Sequence, residues 1–232
     1  GLRLSEGFVG NSRPKSSTGR LDIFARMLTA GSSIYDSVPE GYEGPLYLEV
    51  MPLTFPVVVR MGDRLNQLRI RQGQTICSDE ELRKVHAGTP LIYPTFAGDE
   101  NEQAHLSDGL WMSIDLKGKS GGENPIVGYK AKRHTQPVDL AKVQNYAWRD
   151  YWEPLRVGDC RPLILYPGEF YIFVSRERLR VPPEYSAELV AYDTRVGELR
   201  LHYAGFFDPG FGHDTQGDKH GTAAVLEVRA HD

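Results

Sequence analysis

Basic charge is in short supply in this chain of 232 residues. Its 27 Lys and Arg stand against 31 Asp and Glu, for a net charge of −4 and a pI near 6.0. A long polyanion finds no basic stripe on such a surface, so a nucleic acid polymer is not an expected partner. Cysteine is scarce too: Cys77 and Cys160 stand 83 positions apart, which is no disulfide framework and points to a reducing cytoplasm. No apolar run approaches the ~20 residues of a membrane span, and no signal peptide opens the sequence. The expectation is a cytoplasmic protein with no membrane contact.

Several catalytic signatures are also missing. None of the seven histidines is followed two places later by Glu, and no Pro-Cys-x-x-Cys segment exists, so the zinc-activated-water site built from those elements is excluded. There is no Gly-x-x-x-x-Gly-Lys-Ser/Thr loop, no Gly-x-Gly-x-x-Gly and no Gly-x-Ser-x-Gly elbow. His202, His213 and His220 with Asp214 and Asp218 match no metal-ligand spacing and read as a polar loop.

Turn formers are abundant instead. Twenty-four Gly and fifteen Pro punctuate short runs of Val, Ile, Leu, Tyr and Phe, the pattern of a mostly β protein. Strands are predicted at Gly44–Leu53, Pro56–Arg60, Asn66–Arg71, Leu110–Leu116, Arg161–Tyr166, Glu169–Ser175, Glu188–Tyr192, Arg200–Phe206 and Ala223–Ala230. Two helices are predicted. One follows Ser78, with Glu81 completing a capping box and Gly88 offering a stop. The other spans Thr18–Leu28, where Leu21, Phe24, Ala25 and Leu28 fall at helical spacing.

A weak internal repeat organises the chain. Leu4, Gly19-Arg20-Leu21, Gly41-Tyr42 and Leu48-Glu49-Val50 are followed by Val181, Thr194-Arg195-Val196, Gly210-Phe211 and Leu226-Glu227-Val228 in the same order. The offsets are 175 between the arginines, 169 between the glycines and 178 between the glutamates. Two related domains are expected, residues 1–96 and 97–232, joined near Phe96–Gln103.

Three local patterns can carry chemistry. Lys15-Ser16-Ser17-Thr18-Gly19-Arg20 sets hydroxyls and two cations beside a helix start, a workable phosphate cradle. It is equally a solvated turn. In Leu46-Tyr47-Leu48-Glu49-Val50, alternation sends Leu46, Leu48 and Val50 to one face, and Tyr47 and Glu49 to the other. Glu49 is then either a surface carboxylate or, lining a cleft, a candidate general base. Asp36 precedes the turn Pro39-Glu40-Gly41-Tyr42-Glu43-Gly44, which serves as a tight connection or as a wall against a flat ligand, with Tyr42 as its ring.

Taken in order, Ser16-Ser17-Thr18-Gly19-Arg20, Gly41-Tyr42-Glu43-Gly44 and Leu48-Glu49 resemble the dCTP deaminases of the dUTPase-like superfamily, in their tandem, double-domain form. Glu49 keeps the family's spacing of five residues past the last turn glycine, and dUTPases generally lack it. The resemblance implies a β-clip or distorted-barrel fold in two tandem units and a homotrimer with active sites between neighbours. It implies Mg2+ carried with the triphosphate and no zinc. It implies dCTP and dUTP as ligands, with Glu49, Arg20 and Ser16 catalytic and Lys15, Ser17, Asp36 and Tyr42 contacting substrate. Arg195 and Glu227 become the second-unit counterparts.

Departures from the pattern bear on those roles. Lys15 stands where the family has Arg, and Pro39-Glu40 where it has Asp-Pro. Ala191-Tyr192 occupies the place of the second Ser pair, so the first unit is expected to be catalytic and the second degenerate. Both ends read as truncated. The activity expected is deamination of dCTP to dUTP and ammonia. A dUTPase or bifunctional enzyme, in which Asp36 orients water at the α-phosphate, is one alternative, and a non-catalytic nucleotide-binding trimer is the other.

Overall fold

A computed structural model describes residues 1–93, 104–118, 125–157, 162–190, 205–213 and 221–229. Strands predominate, with three helices among the described residues. The chain divides into two compact units, the first built chiefly from Gly1–Thr75 with Ala131–Glu153, the second from most of the remainder. The expected junction at Phe96–Gln103 lies outside the described residues, as do Arg195, Ala191 and Tyr192.

In the first unit, strand β1 (Phe8–Pro14) leads into the short helix α1 (Ser16–Arg20), then β2 (Ile23–Thr29), β3 (Leu46–Pro52) and β4 (Asn66–Gln72). β1 pairs antiparallel with β4 along its whole length, Phe8 opposite Gln72 and Pro14 opposite Asn66. β2 and β3 form a separate antiparallel ribbon, Ile23 opposite Pro52 and Thr29 opposite Leu46.

The helix predicted over Thr18–Leu28 is corrected here: it ends at Arg20, and Ile23–Thr29 is strand. Asp22 breaks it, in the left-handed region at φ 54. Its carbonyl accepts from Leu53 N–H at 3.0 Å and its carboxylate from the Thr54 hydroxyl at 2.6 Å, which fixes the reversal. Beyond it Ile23, Ala25, Met27 and Thr29 are buried while Phe24, Arg26 and Leu28 are not. That is period two. Leu21, Phe24, Ala25 and Leu28 fit helical spacing, but Ile23 and Met27 fall on the opposite face of such a helix and fit only a strand.

The second predicted helix is present as α2 (Asp79–Gly88). Ser78 caps it, its hydroxyl accepting from Glu81 N–H at 3.3 Å while the Glu81 carboxylate accepts from Ser78 N–H at 2.8 Å. The second unit is centred on β6 (Phe170–Leu179), which pairs with β5 (Ile126–Ala131) on one side and β7 (Thr222–Arg229) on the other. Its core gathers Ile92, Tyr171, Phe173, Leu179, Leu226 and Val228. Gly128 lies opposite Phe173, and a Cβ there would fall 2.5 Å from the Phe173 ring, so glycine is what lets that ring lie flat on the sheet.

Predicted strands at Pro56–Arg60 and Leu110–Leu116 shrink to Val57–Val58 and to isolated bridges at Leu110 and Ile114. Val57–Val58 pairs in parallel with Val138–Asp139, and Arg60 closes a two-pronged ion pair on the Asp139 carboxylate. Tyr146 adds its hydroxyl as acceptor for Asp139 N–H at 2.7 Å.

Candidate active site

Two groups of predicted residues come out of this framework separately. The first is the Ser loop. Thr18 is buried and donates its hydroxyl to the Leu65 carbonyl at 2.7 Å, and Lys15 N–H donates to the same carbonyl at 2.9 Å. Gly19 is buried beside it. With its inner side anchored, α1 turns Lys15, Ser16, Ser17 and Arg20 outward, all exposed. Ser16 and Arg20 are four residues apart on a helical turn and share a face. Thr18 therefore is structural, while its neighbours form an accessible patch of hydroxyls and cations.

The second group surrounds Glu49, midway along β3 and directly opposite Arg26 on β2. All seven residues of β3 are exposed in the single chain, Tyr47 at 56 % and Met51 at 48 %, so alternation separates two faces but neither is core. Glu49 accepts a short hydrogen bond from the Tyr35 hydroxyl. That bond, more than any other influence, holds the Tyr35 phenol above its ordinary pKa, with some burial and the charge of Glu49 adding to the effect.

Asp36 sits just behind, 5 % exposed and in the left-handed region at φ 61. One of its carboxylate oxygens accepts from Met27 N–H at 2.9 Å, and the other takes the Arg26 guanidinium. Arg13 lies 3.9 Å away. The Arg26 guanidinium also lies over the Tyr35 ring, 4.9 Å from its centre. Tyr42 is built into its turn: the hydroxyl accepts from Ala30 N–H at 3.0 Å and donates to the Pro45 carbonyl. Its ring packs against the small core of Leu4, Met27 and Val38.

Glu49 and the Ser loop are not joined by a direct bond in the structure. Three residue pairs of ribbon, about 10 Å, separate Glu49 from the Ile23 end to which α1 is attached. In the second unit Glu227 is on β7 opposite Ile172 and only 6 % exposed, unlike Glu49. Among the described residues no group of three or more His, Cys, Asp or Glu could hold a metal ion. Nor is any helix there long and apolar enough to cross a membrane. Most of the His202–His220 loop lies outside the described residues; His213, within them, accepts from Arg180 Nε at 3.1 Å.

Sequence reasoning missed Tyr35 and Arg26. Arg26 was legible in principle, since reading Ile23–Thr29 as a strand puts it beside a strand carboxylate. Tyr35 carried no signal, because a loop residue 14 positions from Glu49 meets it only through the fold.

Comparison with known proteins bears on both groups. Residues 1–74 match the N-terminal domain, and residues 78–232 the C-terminal domain, of 2'-deoxycytidine 5'-triphosphate deaminase. The crystal structure of that deaminase from Agrobacterium tumefaciens is similar over 100 % of this chain, with 47 % identity and a TM-score of 0.86. The chain spans 65 % of that protein's length. A "dCTP deaminase, dUMP-forming" from Kocuria rhizophila is 38 % identical over 64 residues, 26 % of this chain and 33 % of that relative. The mostly β, dUTPase-like fold expected from the sequence is thereby borne out. With family domains matched almost end to end, the chain belongs to the 2'-deoxycytidine 5'-triphosphate deaminase family.

Proposed function

We propose that the protein is a hydrolase that deaminates dCTP without zinc, with Glu49 as the general base and dUTP and ammonia as immediate products. The observation that carries this is Glu49 itself: a carboxylate open to solvent in one chain, yet oriented by a phenol hydroxyl and set opposite an arginine. Water adds to C4 of cytosine as Glu49 takes its proton. The same group then passes protons toward N3 and the departing amine, so that dCTP and water become dUTP and ammonia. A positioned acid–base group of this kind is worth roughly 10²- to 10⁴-fold.

Lys15, Ser16, Ser17 and Arg20 form the phosphate-facing patch, with Ser16 and Arg20 also orienting the water and steadying developing charge. Tyr42 walls the base side, and Asp36 acts behind Arg26. Magnesium would come with the nucleotide, offsetting part of the triphosphate charge, while Lys15, Ser16, Ser17 and Arg20 would contact the remaining phosphate oxygens. The separation of Glu49 from the Ser loop supports an active site completed between copies in a homotrimer. The exposed β3, with Leu46, Tyr47, Leu48, Val50 and Met51 all uncovered, is a surface that association would bury. Sedimentation as a monomer at assay concentration refutes that assembly. The second unit is read as structural, because Ala191-Tyr192 stands where its Ser pair would be. Its free cysteine Cys77 suits a cytoplasmic enzyme.

Glu49→Gln tests the assignment. The variant should still bind dCTP, measured by calorimetry, and lose ammonia release. Full turnover in that variant removes the assignment, and binding without product in the wild type favours the non-catalytic alternative. A zinc chelator should leave turnover intact, and removal of magnesium should weaken it. A second reading rests on the name of the Kocuria relative: the same site would also hydrolyse dUTP to dUMP and pyrophosphate. Pyrophosphate release from dCTP and from dUTP decides between the two.

A further inference from the structure

Arg26 stands directly across the ribbon from Glu49, the register at which an opposite-charge pair is expected to close. It does not close here. The Arg26 guanidinium is turned instead to the buried Asp36 carboxylate, and its face covers the ring of Tyr35. Asp36 is held in place by Met27 N–H and by two main-chain hydrogen bonds, its own N–H to Met27 O at 2.7 Å and its carbonyl to Ser12 N–H at 2.9 Å. The result is a relay of contacts running Asp36, Arg26, Tyr35, Glu49, which begins in the buried wall of the unit and ends on the carboxylate.

We propose that Tyr35 is a positioning residue for the Glu49 base, its ring clamped by an Arg26 guanidinium that Asp36 diverts from Glu49. This rests on Glu49 being the base. A guanidinium paired directly with a carboxylate favours its charged form strongly and opposes proton uptake. A neutral hydroxyl fixes the side-chain rotamer while leaving the second oxygen available to a water. The phenol stays protonated through the working range, since its hydrogen bond to Glu49 pushes its pKa up. Arginine suits the clamp because its planar face stacks on a ring while its edge binds a carboxylate, which lysine does not do.

The experiment is steady-state ammonia release by the full chain, with Tyr35→Phe made alone and in a Glu49→Asp background. Tyr35→Phe should lower kcat about tenfold with KM for dCTP within about twofold, the loss expected for one hydrogen bond to a charged group. In Glu49→Asp, whose shorter carboxylate no longer meets the hydroxyl, the same change should have less than about a twofold effect. Arg26→Gln, which removes the clamp and keeps the hydroxyl, should also lower kcat with KM held. The proposal is overturned by an unchanged kcat in Tyr35→Phe, by a loss confined to KM, or by equal losses in both backgrounds. Full turnover in Glu49→Gln overturns the base assignment as well, so the two failures are distinguishable.

Discussion

Replacing Asp36 by Asn and by Ala separates the charge of this buried carboxylate from its conformational role. In the folded protein it accepts from Met27 N–H at 2.9 Å and from the Arg26 guanidinium, at a backbone φ of 61 that asparagine tolerates and alanine does not. Asparagine keeps the acceptor for Met27 but turns an NH2 donor toward the guanidinium, so the charge-assisted bond to Arg26 is lost. Arg26 is 37 % exposed, so water replaces part of the loss, and the expected cost is about 2 kcal/mol. Alanine additionally strands the Met27 N–H, about 1–2 kcal/mol, and strains the left-handed backbone, about 1 kcal/mol. The two variants should therefore differ by roughly 2–3 kcal/mol. Urea denaturation at fixed protein concentration reads this, followed by Trp148 and Trp152, which belong to the first unit. An Asp36→Asn midpoint equal to wild type, or an Asp36→Ala variant no less stable than Asp36→Asn, refutes the reasoning.

Two further outcomes are expected. Gly128→Ala should destabilise the second unit by roughly 1–3 kcal/mol, because the new methyl meets the Phe173 ring and the Ile172 carbonyl at 2.8 Å; an unshifted thermal midpoint would contradict this. Asp139 is held below the ordinary carboxylate range, first by its hydrogen bond from Arg60, with some opposition from burial. The pair's stabilisation is thus complete above the unfolded value, about pH 4, and is lost as pH falls through the lower folded value. Asp139→Asn should flatten that acid limb in a plot of urea midpoint against pH, and identical limbs in both proteins would count against the pair.

How much of this was legible beforehand depends on the range of the interaction. The capping box at Ser78 and Glu81 spans three residues, and it formed as read. β4 and β7 were anticipated almost to their ends, since their alternation is local. Over β2, period two and period 3.6 both fit, because the run holds so many apolar residues. The decision came from Asp22, whose reversal is held by Leu53 and Thr54 some thirty positions later. In the Ser loop the sequence does not separate Thr18 from Ser16 and Ser17; the Leu65 carbonyl that binds Thr18 does.

By itself the sequence determined the mostly β class, the family motifs and their order, and the singular position of Glu49 five residues past Gly44. Each of these follows from residue type and short spacing, which survive without coordinates. Only the tertiary structure decided what surrounds Glu49. Tyr35, Arg26 and Asp36 are brought to it by a ribbon register and a loop reversal, and register is set by long-range pairing that no local pattern encodes. It also decided that β3 is uncovered on both faces, since burial belongs to neighbours in space rather than in sequence.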